Sequence, residues 1–241
     1  MKIEVWSDYV CPFCYIGKRK FEAALEQFAH ADQVEVSYNA FELDPNSKAY
    51  DGQDYYEELA KKFGSIEQVK QMTANVKEQA AQVGLNYDFD KMKPTNTFTA
   101  HRLTKFAEKE GKGNEMTEAL LHAHFIDGKD IGSLDDLADI AQAVGLDSEQ
   151  AKTVITDESQ FKADVEADLQ AARDFQITGV PFFIFNRKYA VSGAQPQEAF
   201  LQALEQVWEE ENKQSPFETI GSESDTVCTD DGCYVPENKD E

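Results

Sequence analysis

Ile3-Glu4-Val5-Trp6-Ser7-Asp8-Tyr9-Val10-Cys11-Pro12-Phe13-Cys14-Tyr15-Ile16-Gly17 is the stretch on which the fold turns. Residues 2–7 read as a strand. The segment from Tyr15 to Phe28 reads as a helix, with Phe21, Leu25 and Phe28 spaced along one face. Pro12 suits the first helical position, where its missing N–H costs nothing. The two cysteines therefore sit where a strand hands over to a helix. A cysteine there faces unpaired backbone N–H groups and the positive end of the helix dipole. Both favour thiolate over thiol, and the thiolate is the nucleophile.

Working outward, Gln33-Val34-Glu35-Val36-Ser37-Tyr38 alternates polar and apolar and reads as a second, half-buried strand. Strand, helix and strand in that order imply a parallel pair. From about Asp51 to Phe175 the pattern is helical. Leu59, Phe63, Ile66, Val69, Met72 and Val76 recur every three or four residues, glycines punctuate the segment, and Ser133 opens a helix. Strand character returns at Val180-Pro181-Phe182-Phe183-Ile184-Phe185 and at Tyr189-Ala190-Val191. Pro196 to Trp208 reads as a last amphipathic helix. The predicted fold is α/β, with a sheet completed by both ends of the chain around a large helical insertion. Residues 1–50 and 176–208 form the sheet-bearing part and 51–175 the insertion. Residues 209–241 read as an acidic, mostly disordered tail.

The chain has 241 residues, 41% of them hydrophobic, with 46 acidic against 23 basic side chains and a net charge of −23. Such a field repels phosphate backbones and anionic lipid surfaces, so nucleic acid and membrane are not expected partners. No apolar run approaches the roughly 18 residues of a membrane span. The N-terminus runs directly into the first strand without the pattern of a signal peptide, which predicts a cytoplasmic protein. In that compartment a disulfide is more often transient and catalytic than structural.

Four cysteines are present: Cys11, Cys14, Cys228 and Cys233. They allow three pairings, of which Cys11–Cys14 with Cys228–Cys233 is local. Zinc would need four ligands, and the second pair lies in the tail with a different spacing. Cys11, nearer the helix start, is expected to be the more exposed thiol and to attack; Cys14 is expected to resolve the mixed disulfide. Gly179-Val180-Pro181 is the second site. A proline ahead of an apolar strand fits either a cis peptide or an ordinary trans loop, and residue patterns leave both open. In the cis case the turn can lie beside the dithiol helix, with the Val180 backbone available to an extended substrate. His122 and His124, two apart, point to different faces of a helix and do not suit a shared metal. Asp8 is expected to cap the helix that carries the cysteines.

Four motifs taken together resemble the DsbA-like thioredoxin superfamily, with the FrnE dithiol–disulfide oxidoreductases/isomerases the nearest subgroup. They are Ser7 to Gly17, Phe41-Glu42-Leu43-Asp44-Pro45, Asn96-Thr97-Phe98-Thr99-Ala100-His101, and Thr178-Gly179-Val180-Pro181-Phe182-Phe183. Their order spans residues 1–208. The resemblance implies a thioredoxin fold with a helical insertion, a redox dithiol at Cys11 and Cys14, and a cis-proline at Pro181. It also implies substrate contacts by Pro12, Phe13, Val180, Asn96 and His101, and a position near the site for Glu42. Phe13 stands where many relatives carry Trp. The expected activity is cytosolic exchange with protein disulfides, with no metal or organic cofactor, reset by glutathione or a thioredoxin system. Cys228 and Cys233 are a candidate second redox pair. Two other classes share features. One is a glutathione-dependent isomerase or transferase of the kappa-class/hydroxychromene carboxylate isomerase kind, which typically has Ser in place of a complete C-x2-C. The other is a non-catalytic chaperone-like module using the apolar surface around Pro181.

Overall fold

The computed structural model describes residues 1–212, 227–229 and 232–234. Two compact units divide at residue 209. In the first, β1 (Lys2–Ser7) is followed by α1 (Pro12–Gln27), β2 (Glu35–Ala40), seven α-helices, β3 (Phe182–Phe185), β4 (Tyr189–Ser192) and most of α9 (Gln197–Glu211). The helices of the insertion are α2 (Tyr55–Phe63), α3 (Ile66–Ala81), α4 (Phe98–Lys109), α5 (Gly113–His122), α6 (Leu134–Ala143), α7 (Ser148–Thr156) and α8 (Lys162–Asp174). The sheet order is β2-β1-β3-β4. β1 and β2 are parallel, Lys2 opposite Glu35 and Ser7 opposite Ala40; β3 runs antiparallel to both β1 and β4. This is the α/β thioredoxin fold with a helical insertion.

Period-two alternation sorts the sheet's side chains. Ile3, Val5, Phe183 and Phe185 point to one face and pack with Phe21 and Ala24 of α1 and Phe200 and Leu204 of α9. Trp6 and Ile184 point to the other, against Ala172 of α8 and Ile177. Glu4 shares that second face and is held at its rim by a two-pronged bond from Arg187, Nε to Oε2 at 2.9 Å and Nη2 to Oε1 at 2.8 Å. The third core lies in the insertion, and Tyr9, Tyr15 and Ile16 are part of it. α1 thus presents Phe21 and Ala24 to the sheet and Tyr15 and Ile16 to the helices, which places its N-terminus at the junction.

Two expectations change. β2 begins at Glu35, two residues beyond the predicted start, because Ala31–Gln33 closes a 3-10 turn first. The apolar repeat from Leu59 to Val76 spans two helices. α2 stops at Gly64, whose φ of 108° ordinary residues avoid, and Ser65 opens α3 with a capping box to Gln68. Of that repeat Val69 is buried, whereas Phe63, Ile66 and Met72 are exposed. In the second unit, β5 (Val227–Thr229) and β6 (Gly232–Tyr234) pair antiparallel with Cys228 opposite Cys233, a short hairpin within the stretch the sequence reads as mostly disordered. The side chains and redox state of Cys228 and Cys233 lie outside the described residues.

Candidate active site

Cys11 is the N-cap of α1 and Pro12 its first helical residue. The Cys11 N–H bonds the Asp8 carbonyl at 3.1 Å, and the Cys14 N–H bonds the Cys11 carbonyl at 3.0 Å, so both thiols sit in one tight turn. Both are free thiols. Cys11 is 4% exposed and Cys14 3%, so the expected difference in exposure is absent. Chemistry separates them instead. Burial, then the adjoining Cys11 sulfur, push the Cys14 thiol well above its ordinary value. Bonds to its sulfur from the Ser7 hydroxyl and the Asp8 backbone oppose this only in part. Cys14 is therefore held protonated and is the poorer first nucleophile.

The Cys11 Sγ–H points at the Val180 carbonyl, 3.5 Å away. The Val180–Pro181 peptide is cis, and the Pro181 carbonyl accepts the Gly193 N–H at 2.8 Å. Phe13 is 37% exposed beside the thiols. Cys11, Pro12, Phe13, Cys14, Val180 and Pro181 are thus brought together from the two ends of the first unit.

Two contacts hold this turn and carry no local sequence signal. A Cβ on Gly17 would come within 2.9 Å of Pro181 Cγ, so glycine lets the proline ring lie on α1. The Tyr87 hydroxyl, from the insertion, donates to the Pro12 carbonyl at 2.7 Å. One turn on, Glu118 of α5 accepts from Tyr15 at 2.6 Å and pairs with Lys18 at 2.7 Å and with Arg19. Burial works against the ionised Glu118, yet bonds from Lys18 and Tyr15 keep its carboxyl below the ordinary value. The insertion is therefore bolted to the dithiol helix by charge as well as packing.

Asp8 does not cap α1. Its Oδ2 accepts the Leu43 N–H at 2.8 Å, while Oδ1 has no hydrogen-bond partner. His101 lies in the first turn of α4 and is buried. Its Nε2 is 3.1 Å from the Phe41 carbonyl and 3.6 Å from Asp8 Oδ1, and its ring lies on Tyr9. Asn96 accepts the Phe98 N–H at 2.9 Å ahead of α4. Glu42 is half-buried in the same group. Burial raises its carboxyl; His101 and a bond from Asn96 lower it, and the Asp8 charge raises it further. Asn96, His101 and Glu42 thus meet beside Asp8, whose backbone carbonyl accepts the Cys11 N–H. His122 is half-exposed and His124 fully buried with neither ring nitrogen bonded, so the two do face apart.

Residues 2–205 match the DSBA-like thioredoxin domain, and the chain belongs to that family. It is 38% identical to a crystal structure described as a probable DsbA oxidoreductase, SCO1869, from Streptomyces coelicolor. That match has a TM-score of 0.83 and covers 98% of this chain and 100% of that one. The uncharacterized protein YwbO of Bacillus subtilis is 29% identical over 84% of this chain and 94% of its own. The cytosolic disulfide reductase DsbM of Pseudomonas aeruginosa shares the fold at 15% identity and a TM-score of 0.60, over 87% of this chain and all of that one.

Proposed function

We propose that this protein is a thiol–disulfide oxidoreductase, of the FrnE kind, that exchanges with disulfides of proteins in the cytoplasm. The observation that carries the reading is the pair of free thiols in the first turn of α1, with Cys11 Sγ 3.5 Å from the Val180 carbonyl. The Cys11 thiolate attacks one sulfur of a substrate disulfide, and the other leaves as a thiol after taking a proton. Cys14 then gives up its proton and attacks Cys11 in the mixed disulfide. The second substrate thiol is released, and Cys11 and Cys14 end as a disulfide. Run backwards, the same steps oxidise a dithiol; with an intact mixed disulfide they reshuffle one. The extended substrate lies along Val180, ahead of Pro181, with Phe13 at its side. No metal or organic cofactor enters these steps. A glutathione or thioredoxin system resets the pair, a reading helped by a DsbM structure described with GSH.

The test is a single turnover of prereduced protein with a peptide disulfide. Loss of one substrate disulfide per Cys11–Cys14 disulfide formed supports the reading. Turnover that persists in Cys14→Ser and requires bound glutathione would favour the transferase-like class instead.

A further inference from the structure

The segment that leaves β2 runs beside the loop that delivers the dithiol. The Phe41 N–H bonds the Ser7 carbonyl at 3.1 Å, and the Leu43 N–H bonds Asp8 Oδ2 at 2.8 Å. This brings two carboxylates, Asp8 and Glu42, next to each other with one imidazole, His101, between them. Asp8 is 1% exposed, and its Oδ1 has no hydrogen-bond donor. Lys62, on α2, pairs with Asp44. Residues 41–58 hold Glu42, Asp44, Asp51, Asp54, Glu57 and Glu58 against Lys48 as the sole cation. A buried carboxylate oxygen without a hydrogen-bond donor, beside a partly buried carboxylate, is a local excess of negative charge that a cation relieves.

We propose that Asp8 and Glu42 form an anionic subsite beside the dithiol, which selects disulfides carrying a positive charge near the sulfur. Glu42, the less buried of the two, makes the contact. Asp8, buried, acts through its field, which the low-dielectric surroundings transmit better than water would. The fitting substrates are cystines flanked by lysine or arginine, and small diamine disulfides. Anionic disulfides such as oxidised glutathione are disfavoured. This selectivity rests on the thiol–disulfide reading above and adds the substrate class.

The experiment uses the prereduced full chain, without external reductant, and three disulfides: cystamine, a dication; bis(2-hydroxyethyl) disulfide, neutral; and glutathione disulfide, an anion. Rates of thiol release are divided by those of dithiothreitol with the same compounds, which removes intrinsic reactivity. At low salt the normalised rates should fall in the order cystamine, neutral, glutathione. Cystamine should lead the neutral compound by about tenfold, an advantage that shrinks toward about 150 mM salt. Glu42→Gln should cut the cystamine-to-neutral ratio by about threefold or more, and Glu42→Lys should reverse the order of cystamine and glutathione. Equal normalised rates overturn the subsite. So does a charge order that both Glu42 variants leave in place, since that would be the field of the whole acidic chain. If none of the three disulfides reacts, the dithiol reading itself fails, which separates the two outcomes.

Discussion

Gly17 and Pro181 are in contact across 164 residues of sequence, the proline ring resting where a side chain at Gly17 would be: a Cβ there would lie 2.9 Å from Pro181 Cγ. The ring is not the free end of a flexible chain, so it cannot swing aside. Gly17→Ala must push the Val180–Pro181 turn away from α1, and with it the Val180 carbonyl that Cys11 faces. The expected cost is about 1–3 kcal/mol of stability, as for overpacking elsewhere. A fall in exchange rate of about tenfold should accompany it, because misplacing a reacting group is costly. Denaturant unfolding and single-turnover exchange measure the two separately. A variant as stable and as fast as the parent would show that the contact is not a constraint.

Tyr87 ties the insertion to the first turn of α1 through the Pro12 carbonyl. Tyr87→Phe keeps the ring stacked on Phe125, with centroids 4.7 Å apart, and removes only the hydroxyl. Loss of about 1 kcal/mol is expected from equilibrium unfolding. Tyr87→Ala also empties a core position and should cost roughly 3–5 kcal/mol.

His124 is buried with neither ring nitrogen hydrogen-bonded, and burial brings its pKa down from 6.5 to about 4. Between those values the unfolded chain binds a proton that the folded chain refuses. Stability therefore falls as pH drops from about 6.5 toward 4, by up to ~3 kcal/mol in total. His124→Leu removes both the titration and the unpaired nitrogens. It should be as stable as the parent at neutral pH, or more so, and its stability should decline less between pH 6.5 and 4. Urea unfolding at several pH values reads this out; parallel pH profiles would contradict it.

Glu4 behaves in the opposite sense. The Arg187 hydrogen bonds, stronger in effect than the burial that opposes them, hold its carboxyl below the ordinary value. Its contribution is full above the unfolded value and is lost as pH falls through the folded one. Arg187 is largely exposed, so Arg187→Ala should cost only about 1 kcal/mol near neutrality. The variant and the parent should converge in stability once pH falls below the folded-state value of Glu4, where its carboxyl is protonated in both.

How much of this was legible in the sequence follows from the range of each signal. β1, α1 and the dithiol are local: alternation, a helical stripe and the spacing of Cys11 and Cys14 define them. β2 shifted because a 3-10 turn at Ala31–Gln33 has no strong sequence mark. The Leu59–Val76 stripe misled because Gly64 breaks it and exposed Phe63, Ile66 and Met72 keep its period. Val180–Pro181 could be placed beside Cys11 only by resemblance, since residue patterns left an ordinary trans loop open. Asp8 looked like a cap because it precedes a helix, but its side chain is claimed by Leu43, 35 residues on. Gly17 and Tyr87 were invisible as constraints, because what they touch lies far along the chain. An insertion that borrows Tyr9, Tyr15 and Ile16 for its core is equally a tertiary fact.

The central claim is that Cys11 attacks and Cys14 resolves. Mass spectrometry of prereduced Cys14→Ser protein after mixing with a peptide disulfide tests it most directly. The predicted result is a one-to-one mixed disulfide mapped to Cys11, stable until a thiol is added, and no peptide adduct on Cys14 in Cys11→Ser protein. Failure of Cys11 to form the adduct in Cys14→Ser protein, or rapid peptide capture by Cys14 in Cys11→Ser protein, would contradict it.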